Sequence, residues 1–407
     1  MKLFYGWRIA IAAACLQFLH SGLQMQAFGA YVAVLSEEKG WSKTVLSGGA
    51  ALQSVEGALL GPVLGWLLDR FGPRLMMQLG MIMFGLGFVV LSQIDTMAGF
   101  YWAIVMMALG TSFSGYFPAA VTLVHWFRVH RARALSVAAS GVAAGGILVL
   151  LVGWMMQTYG WRNTALISGI ASLLIGVPLA RMVHRNPSDI GETVDGLPVP
   201  PPAEPNSSAP DKSVEPEFTA RQALRTRAFW LLGVAHGLAL LVVTAVNVHA
   251  ISHLKEGLGY TLTQAAFVMT LMTVSQIVGV GMGALIGDRW EKRFVAAGCM
   301  LAHMMGLLML TYAVHVWMVG AFAILHGMAW GLRGPFMQAI RADYFGLQAI
   351  GMIMGLSALI ISLGQVAGPM VAGVFADLTG NYRTGFTVLA LMAGSGSILF
   401  VMARKPV

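Results

Sequence analysis

Polar residues are scarce along this chain and arrive in short bursts, and between the bursts run apolar stretches of about 20 residues or more, long enough to cross a lipid bilayer as helices. They fall at residues 7–34, 43–68, 75–92, 98–124, 134–159 and 163–182, and again at 228–254, 262–287, 294–312, 317–342, 349–378 and 383–403. The runs are too long and too evenly apolar for the alternating strands of a membrane barrel. In hydrocarbon every backbone donor needs a partner inside its own segment, so twelve transmembrane helices are predicted. The fold class expected is an all-α membrane protein.

One polar stretch is long. Residues 184–227 include "LPVPPPAEPNSSAP" at 197–210, rich in Pro and Ser and unable to bury a core. It reads as a disordered linker on the cytoplasmic side. The chain then divides into a six-helix bundle over residues 1–183, the linker over 184–227 and a second six-helix bundle over 228–407. The two bundles echo one another. "LGWLLDRFGPRL" at 64–75 returns as "MGALIGDRWEKR" at 282–293, with Asp69-Arg70 matched by Asp288-Arg289. "HWF" ending at Phe127 matches "DYF" ending at Phe345, and "TYGWRNTA" from Thr158 matches "TGNYRTGF" from Thr379. Three landmarks in one order at nearly one spacing describe a parallel repeat. Two such halves about an axis along the membrane normal are a recurrent transporter plan, with the site near midplane where the halves meet.

Composition agrees with a lipid solvent. Of 407 residues, 57% are hydrophobic and 10% charged, where a soluble domain would carry about 25% charged. The net charge of +8 is a topology signal and no sign of nucleic-acid binding. With both termini inside, only Lys39, Lys43, Arg162, Lys255 and Arg383 fall on outer loops and Arg333 alone within a span, and the other basic residues face the cytoplasm. That predicts a multi-pass protein of the cell inner membrane with cytoplasmic termini. Cys15 and Cys299 both sit in spans, so no disulfide framework is expected. "AAAC" ending at Cys15 is a poor lipidation site, and the N-terminal run lacks a cleavable exit, so it is read as a retained first helix.

"GWLLDRFGPR" resembles the G-x-L-x-D-R-x-G-x-R loop signature of the major facilitator superfamily, at Gly65, Leu67, Asp69, Arg70, Gly72 and Arg74. The second copy is degenerate, with Ala284 and Glu291 in place of the glycines. "FYGWRI", "RADYFG" and "GPMVAGVFADLTGNYRTGF" are similar to bacterial monocarboxylate-porter and oxalate–formate antiporter relatives. The resemblance implies a secondary transporter that works by alternating access and acts as a monomer. Small organic anions are then expected as substrates, moved with protons or in exchange for another anion. No cofactor and no enzymatic activity are expected. Export of amphipathic compounds and ligand sensing are the alternatives.

Ionisable groups at membrane depth cost at least about 2.5 kcal/mol each, so they are candidates for function by default. Glu56 stands 13 residues before Asp69, and Arg333 stands 8 before Arg341, which puts both roughly 10–20 Å inside the cytoplasmic edge. A guanidinium at Arg333 offers a planar fork for a carboxylate. It could instead bond helix carbonyls loosened by Pro335. Glu56 is read either as a proton carrier or as the fixed partner of a neighbouring polar group. Tyr116 and Asn247 match the fourth-helix Tyr and seventh-helix Asn that related porters use on carboxylates. His249 lies beside Asn247, and Gln276 is a neutral donor on the eighth helix. That helix has no basic residue, with Gly279 where the porters carry arginine, and the eleventh has no lysine. Asp69, Arg70, Arg74, Asp288 and Arg289 are predicted to gate, by joining helix ends in one state. "GVGMG" at 279–283 and the run Gly57, Gly61, Gly65 are read as helix packing. His20, His125, His303 and His326 fit no metal spacing and are taken as structural.

Overall fold

The computed structural model describes residues 4–41, 43–197 and 217–406. It is 86% helix, and the described residues contain no strand. Among the described residues, ten helical stretches are long and apolar enough to cross a membrane. Helical contacts separate two units, one of Met1–Glu217 with Phe345–Gly355 and one of Phe218–Tyr344 with Leu356–Val407.

In the first unit, α1 (Tyr5–His20) passes through a π-helical turn at Ser21–Met25 into α2 (Phe28–Lys39). It is followed by α3 (Lys43–Phe71) and α4 (Pro73–Ser92). The fourth apolar run is α5 (Met97–Ser114) and α6 (Tyr116–Trp126), broken by extended backbone at Gly115. The fifth and sixth runs make up α7 (Arg131–Ala171), whose two helical arms are separated by non-helical backbone at Gly160, where φ is +79°. A second π turn, Ser172–Gly176, leads to α8 (Val177–Arg181). Helices thus cover the six expected runs; the break at Gly115 falls inside the fourth run, whereas that at Gly160 falls between two expected runs.

The second unit opens with the short α9 (Ala220–Arg225) and continues through α10 (Arg227–Ser252), α11 (Leu262–Ile286) and α12 (Lys292–Thr311). Then come α13 (Val316–Phe345), α14 (Ile350–Thr379) and α15 (Arg383–Met402). The repeat seen in the sequence is also geometric. Helices α4 and α12 are both 20 residues long, beginning at Pro73 and Lys292. Gly160 and Gly380 both take positive φ in matching turns.

Glycines let backbones touch, as expected of helices packed without a hydrophobic drive between them. A side chain on Gly279 would overlap the Met328 carbonyl, and one on Gly331 would overlap that of Gln276, so α11 and α13 cross at backbone distance. Gly61 and Gly65 likewise meet the backbone of Gly355 and Gly351. Gly57, read as part of the same packing run, has nothing within 4 Å of an added Cβ.

Two expectations are corrected. The stretch 184–227 is not disordered at its ends, although most of its Pro-rich motif lies outside the described residues. Glu192 Oε2 accepts the Tyr5 N–H at 3.2 Å, and the Asp195 carboxylate accepts from the N–H groups of Arg128 and Val129 at 2.9 Å each and of His130 at 3.3 Å. Glu217 Oε2 takes the Gln348 N–H at 2.7 Å. Each acid satisfies backbone donors at a helix start that have no intrahelical partner, which orders the segment carrying it. The second correction concerns Arg341, counted with the loop cations. It lies inside α13, 1% exposed, so Arg333 is not alone within a span.

Candidate functional site

The charged turn after α3 is shaped by Gly72, with φ +79°, followed by Pro73 in the first turn of α4. This arrangement leaves Asp69 half-buried, its carboxylate accepting the N–H of Gly351 at 3.2 Å and of Met352 at 3.0 Å. An anion thus sits on the positive end of α14, where helix dipole and free N–H groups favour it. The neighbouring arginine does not pair with it. Arg70 lies over the Trp66 and Phe71 rings, 5.3 and 5.5 Å from their centroids. Arg74 is exposed, and its charge, after burial, helps hold the loop residue His184 below its ordinary imidazole value. In the second copy Asp288 is half-buried and Arg289 exposed. Among the described residues there, Lys292 pairs with Asp343 at 2.8 Å and Arg293 engages Glu291. Neither pair was predicted.

Glu56 belongs to a polar stripe within the first unit. Its Oε2 accepts the Ser112 hydroxyl at 3.1 Å, and its Oε1 has no partner. The adjacent Thr111 donates to Gln24 Oε1 at 2.8 Å. Ser114 donates to the Gly110 carbonyl at 2.7 Å, so the 3.1 Å contact with His20 must run from the His20 Nε2–H to the Ser114 oxygen. His20 Nδ1 is then a bare acceptor with no partner. The sequence carries a signal for this stripe that was passed over. Gln17, His20 and Gln24 follow helical spacing on one face, opposite "TSFS" at 111–114. Tyr116, predicted to face substrate, instead directs its hydroxyl at the Leu135 carbonyl, 3.5 Å away, too long for a strong bond.

In the second unit the two buried arginines differ. Arg341 is fully engaged, its guanidinium donating to Ser357 Oγ at 3.2 Å, the Met337 carbonyl at 2.8 Å and His236 Nδ1 at 3.2 Å. Arg333 is equally buried, 1% exposed, yet its Nε and Nη1 have no partner. The expected alternative, a bond from these nitrogens to loosened helix carbonyls, is therefore not made. The groups whose charge bears on it are Cys299, His236, His303, His326 and Arg341, none of them a carboxylate. Gln276 reaches its neighbourhood through the backbone, against Gly331. His249 donates from Nε2 to the Pro369 carbonyl at 3.0 Å and lies 5.2 Å from the Tyr382 ring, so it ties α10 to α14. Asn247 is exposed. A separate cavity of about 670 Å³ between α11, α12 and α13 is lined by apolar groups such as Met282, Phe294, Cys299, Met328 and Leu332.

The profile of the Major Facilitator Superfamily matches residues 13–250 and 232–407. Monocarboxylate transporter 13 of Bos taurus is 24% identical over 404 residues, covering 97% of this chain and 89% of the relative. Monocarboxylate transporter 11 of Homo sapiens is 24% identical over 412 residues, covering 98% and 82%. The E. coli fucose:proton symporter superposes with a TM-score of 0.72 at 15% identity, covering 98% of both chains. With the profile matched on both sides of the linker, the chain belongs to the major facilitator superfamily: it is a multi-pass membrane protein and a secondary transporter, not an enzyme.

Proposed function

We propose that this transporter moves small organic anions of the monocarboxylate class by alternating access, driven by proton symport or by anion exchange. The observation that carries the reading is Arg333, a guanidinium buried in a helix with two donors unpartnered and no carboxylate among the groups whose charge reaches it. Leaving a buried charged donor unsatisfied costs about 1–3 kcal/mol or more, and a substrate carboxylate would recover that cost through a bidentate bond. The names of the relatives, monocarboxylate transporters 13 and 11, support the same class. Gln276, Asn247 and Tyr116 remain candidates for orienting the anion through neutral donors, and His249 would join them only by releasing the Pro369 carbonyl. Glu56, with one carboxylate oxygen open, is the proposed proton carrier of the first unit. Asp69 is the proposed latch of the gate, with Arg70, Arg74, Asp288 and Arg289 on the same membrane side. The basic residues of those turns favour cytoplasmic termini in a cell inner membrane, and a monomer suffices for the cycle.

The apolar cavity near Met328 favours a second reading, export of amphipathic compounds. One experiment separates the two. Purified protein in proteoliposomes is given labelled acetate, lactate, pyruvate and oxalate, with and without a pH gradient, and in parallel a lipophilic dye. Uptake of a carboxylate that is lost in Arg333→Gln, with insertion intact, supports anion transport. Normal carboxylate uptake in that variant removes Arg333 from the site, and movement of dye alone favours export.

A further inference from the structure

His303 on α12 and His326 on α13, both 0% exposed, form a pair inside the second unit, with Nδ1 atoms 3.1 Å apart and ring centroids 4.5 Å apart. Two lone pairs cannot face each other at that distance, so a proton lies between the rings. The neutral pair then has one ring protonated on Nδ1 and the other on Nε2. That leaves one bare Nε2 and one Nε2–H, and neither Nε2 atom has a partner. A pair kept only for packing would do better as two apolar side chains, because each orphaned polar atom destabilises the fold. An open lone pair beside a proton already shared is instead the arrangement of a proton acceptor.

The surroundings decide when that acceptor is used. The charged group bearing on the pair is Arg333, seven residues after His326 on α13, and Cys299, four before His303 on α12, lies near that arginine. Beyond them, on the far side of Arg333, stand His236 and Arg341. Helix α11, which crosses α13 at Gly279 and Gly331, has no charged side chain, and α15, packed on α12, has only Arg383 at its first residue. The uncompensated charge of Arg333 therefore opposes a second proton on the pair, and an anion held by Arg333 cancels that opposition.

We propose that the His303–His326 pair takes up one proton when an anion binds at Arg333 and releases it when the anion leaves, which makes it the coupling site of the second unit. The inference rests on the reading of Arg333 as the anion site. In the step one N–H bond forms at the bare Nε2 and one O–H bond of a hydronium ion breaks, leaving a neutral water. The proton comes from water on the side of entry, and the new imidazolium charge is balanced by the bound carboxylate. Because coupling between two ligands is reciprocal, a proton on the pair strengthens anion binding by the factor by which the anion strengthens proton binding.

The test uses the proteoliposomes above, with labelled lactate as the probe. His303→Gln and His326→Asn keep a polar side chain but cannot titrate. Each is expected to lower the ratio of pH-driven accumulation to lactate exchange at equal pH by at least tenfold. A ratio within threefold of wild type in both variants would overturn the proposal. Should either variant fail to insert, wild-type protein in weakly buffered detergent solution gives a second measurement. Adding lactate should remove about one proton per bound anion from solution, and should do so in Glu56→Gln as well. No proton uptake in the wild type, or its disappearance in Glu56→Gln, would overturn the proposal. Failure of the Arg333 reading looks different, because Arg333→Gln would then exchange lactate normally.

Discussion

Asp69→Asn isolates the charge at the start of α14. Asparagine keeps a carbonyl oxygen of the same reach, so one of the two bonds to Gly351 and Met352 can persist, and what is lost is the negative charge on a helix terminus. Such a charge stabilises by about 0.3–1 kcal/mol at an exposed end and up to ~2 kcal/mol where partly buried. Asp69 is half-buried, with bonds of 3.2 and 3.0 Å. A loss near 1.4 kcal/mol is expected, which corresponds to about a tenfold change in the equilibrium between latched and released α14. Asp69→Ala also strands both N–H groups, at about 1–3 kcal/mol for an unsatisfied buried donor, and should go further. The assay is hydrogen exchange of peptides covering residues 345–356, read beside the rate of lactate uptake. Exchange at Gly351 and Met352 should quicken about tenfold in the Asn variant and by more in the Ala variant, with the uptake rate changed in the same order. Unchanged protection in both variants would refute the latch. Changed protection with unchanged uptake would make it a structural cap without a role in the cycle.

The remaining expectations concern the stripe, the helix crossing and a loop. Glu56→Gln should retain measurable lactate exchange while pH-driven accumulation collapses, and retained accumulation would count against a proton role for Glu56. Gly331→Ala should clash with the Gln276 carbonyl and lower the melting temperature in detergent, since overpacking costs about 1–3 kcal/mol. Gly334→Ala, with nothing within 4 Å of the new methyl, is the control and should melt like wild type. In the loop before α5, hydrogen bonds from Lys39 and then Arg162 hold the Asp95 carboxyl below its ordinary value of 3.8. A depressed folded value means that the stabilisation is complete above 3.8 and is lost as pH falls through the lower folded value. Asp95→Asn should therefore melt slightly below wild type at neutral pH, with the gap closing on acidification. A gap that widens in acid would contradict the assignment.

The spans could be read from the sequence because lipid enforces a length and a composition that no neighbour can relax. The expected run 262–287 is α11 at Leu262–Ile286, and 349–378 is α14 at Ile350–Thr379. The topology count failed where a charge found shelter inside a helix. Arg341 was counted with the cytoplasmic cations, although the expected run 317–342 contains it. Yet α13 continues to Phe345, with Arg341 satisfied by His236, Ser357 and its own helix. The linker was misread for a related reason. Composition says that 184–197 cannot make a core, and it does not make one. Its acids instead find helix starts far away in sequence, Tyr5 for Glu192 and residues 128–130 for Asp195.

The same asymmetry governs the candidate site. Glu56 and Arg333 stood out because an ionisable group in an apolar run is costly wherever it points. Their surroundings did not, because neutral residues in a span carry no such cost mark and join the site only through helix crossings. Ser112 lies 56 positions from Glu56, and His303 lies 23 from His326, separations at which no local spacing rule applies. The glycines that set those crossings were visible, but their spacing marks a helix face without saying how far the contact runs. Gly61 and Gly65 meet backbone, while Gly57, on the same face, meets nothing. Hence the two histidines were taken as structural, and only the combination of a 3.1 Å Nδ1 contact with two unpartnered Nε2 atoms beside an unpartnered arginine turns them into candidates for coupling.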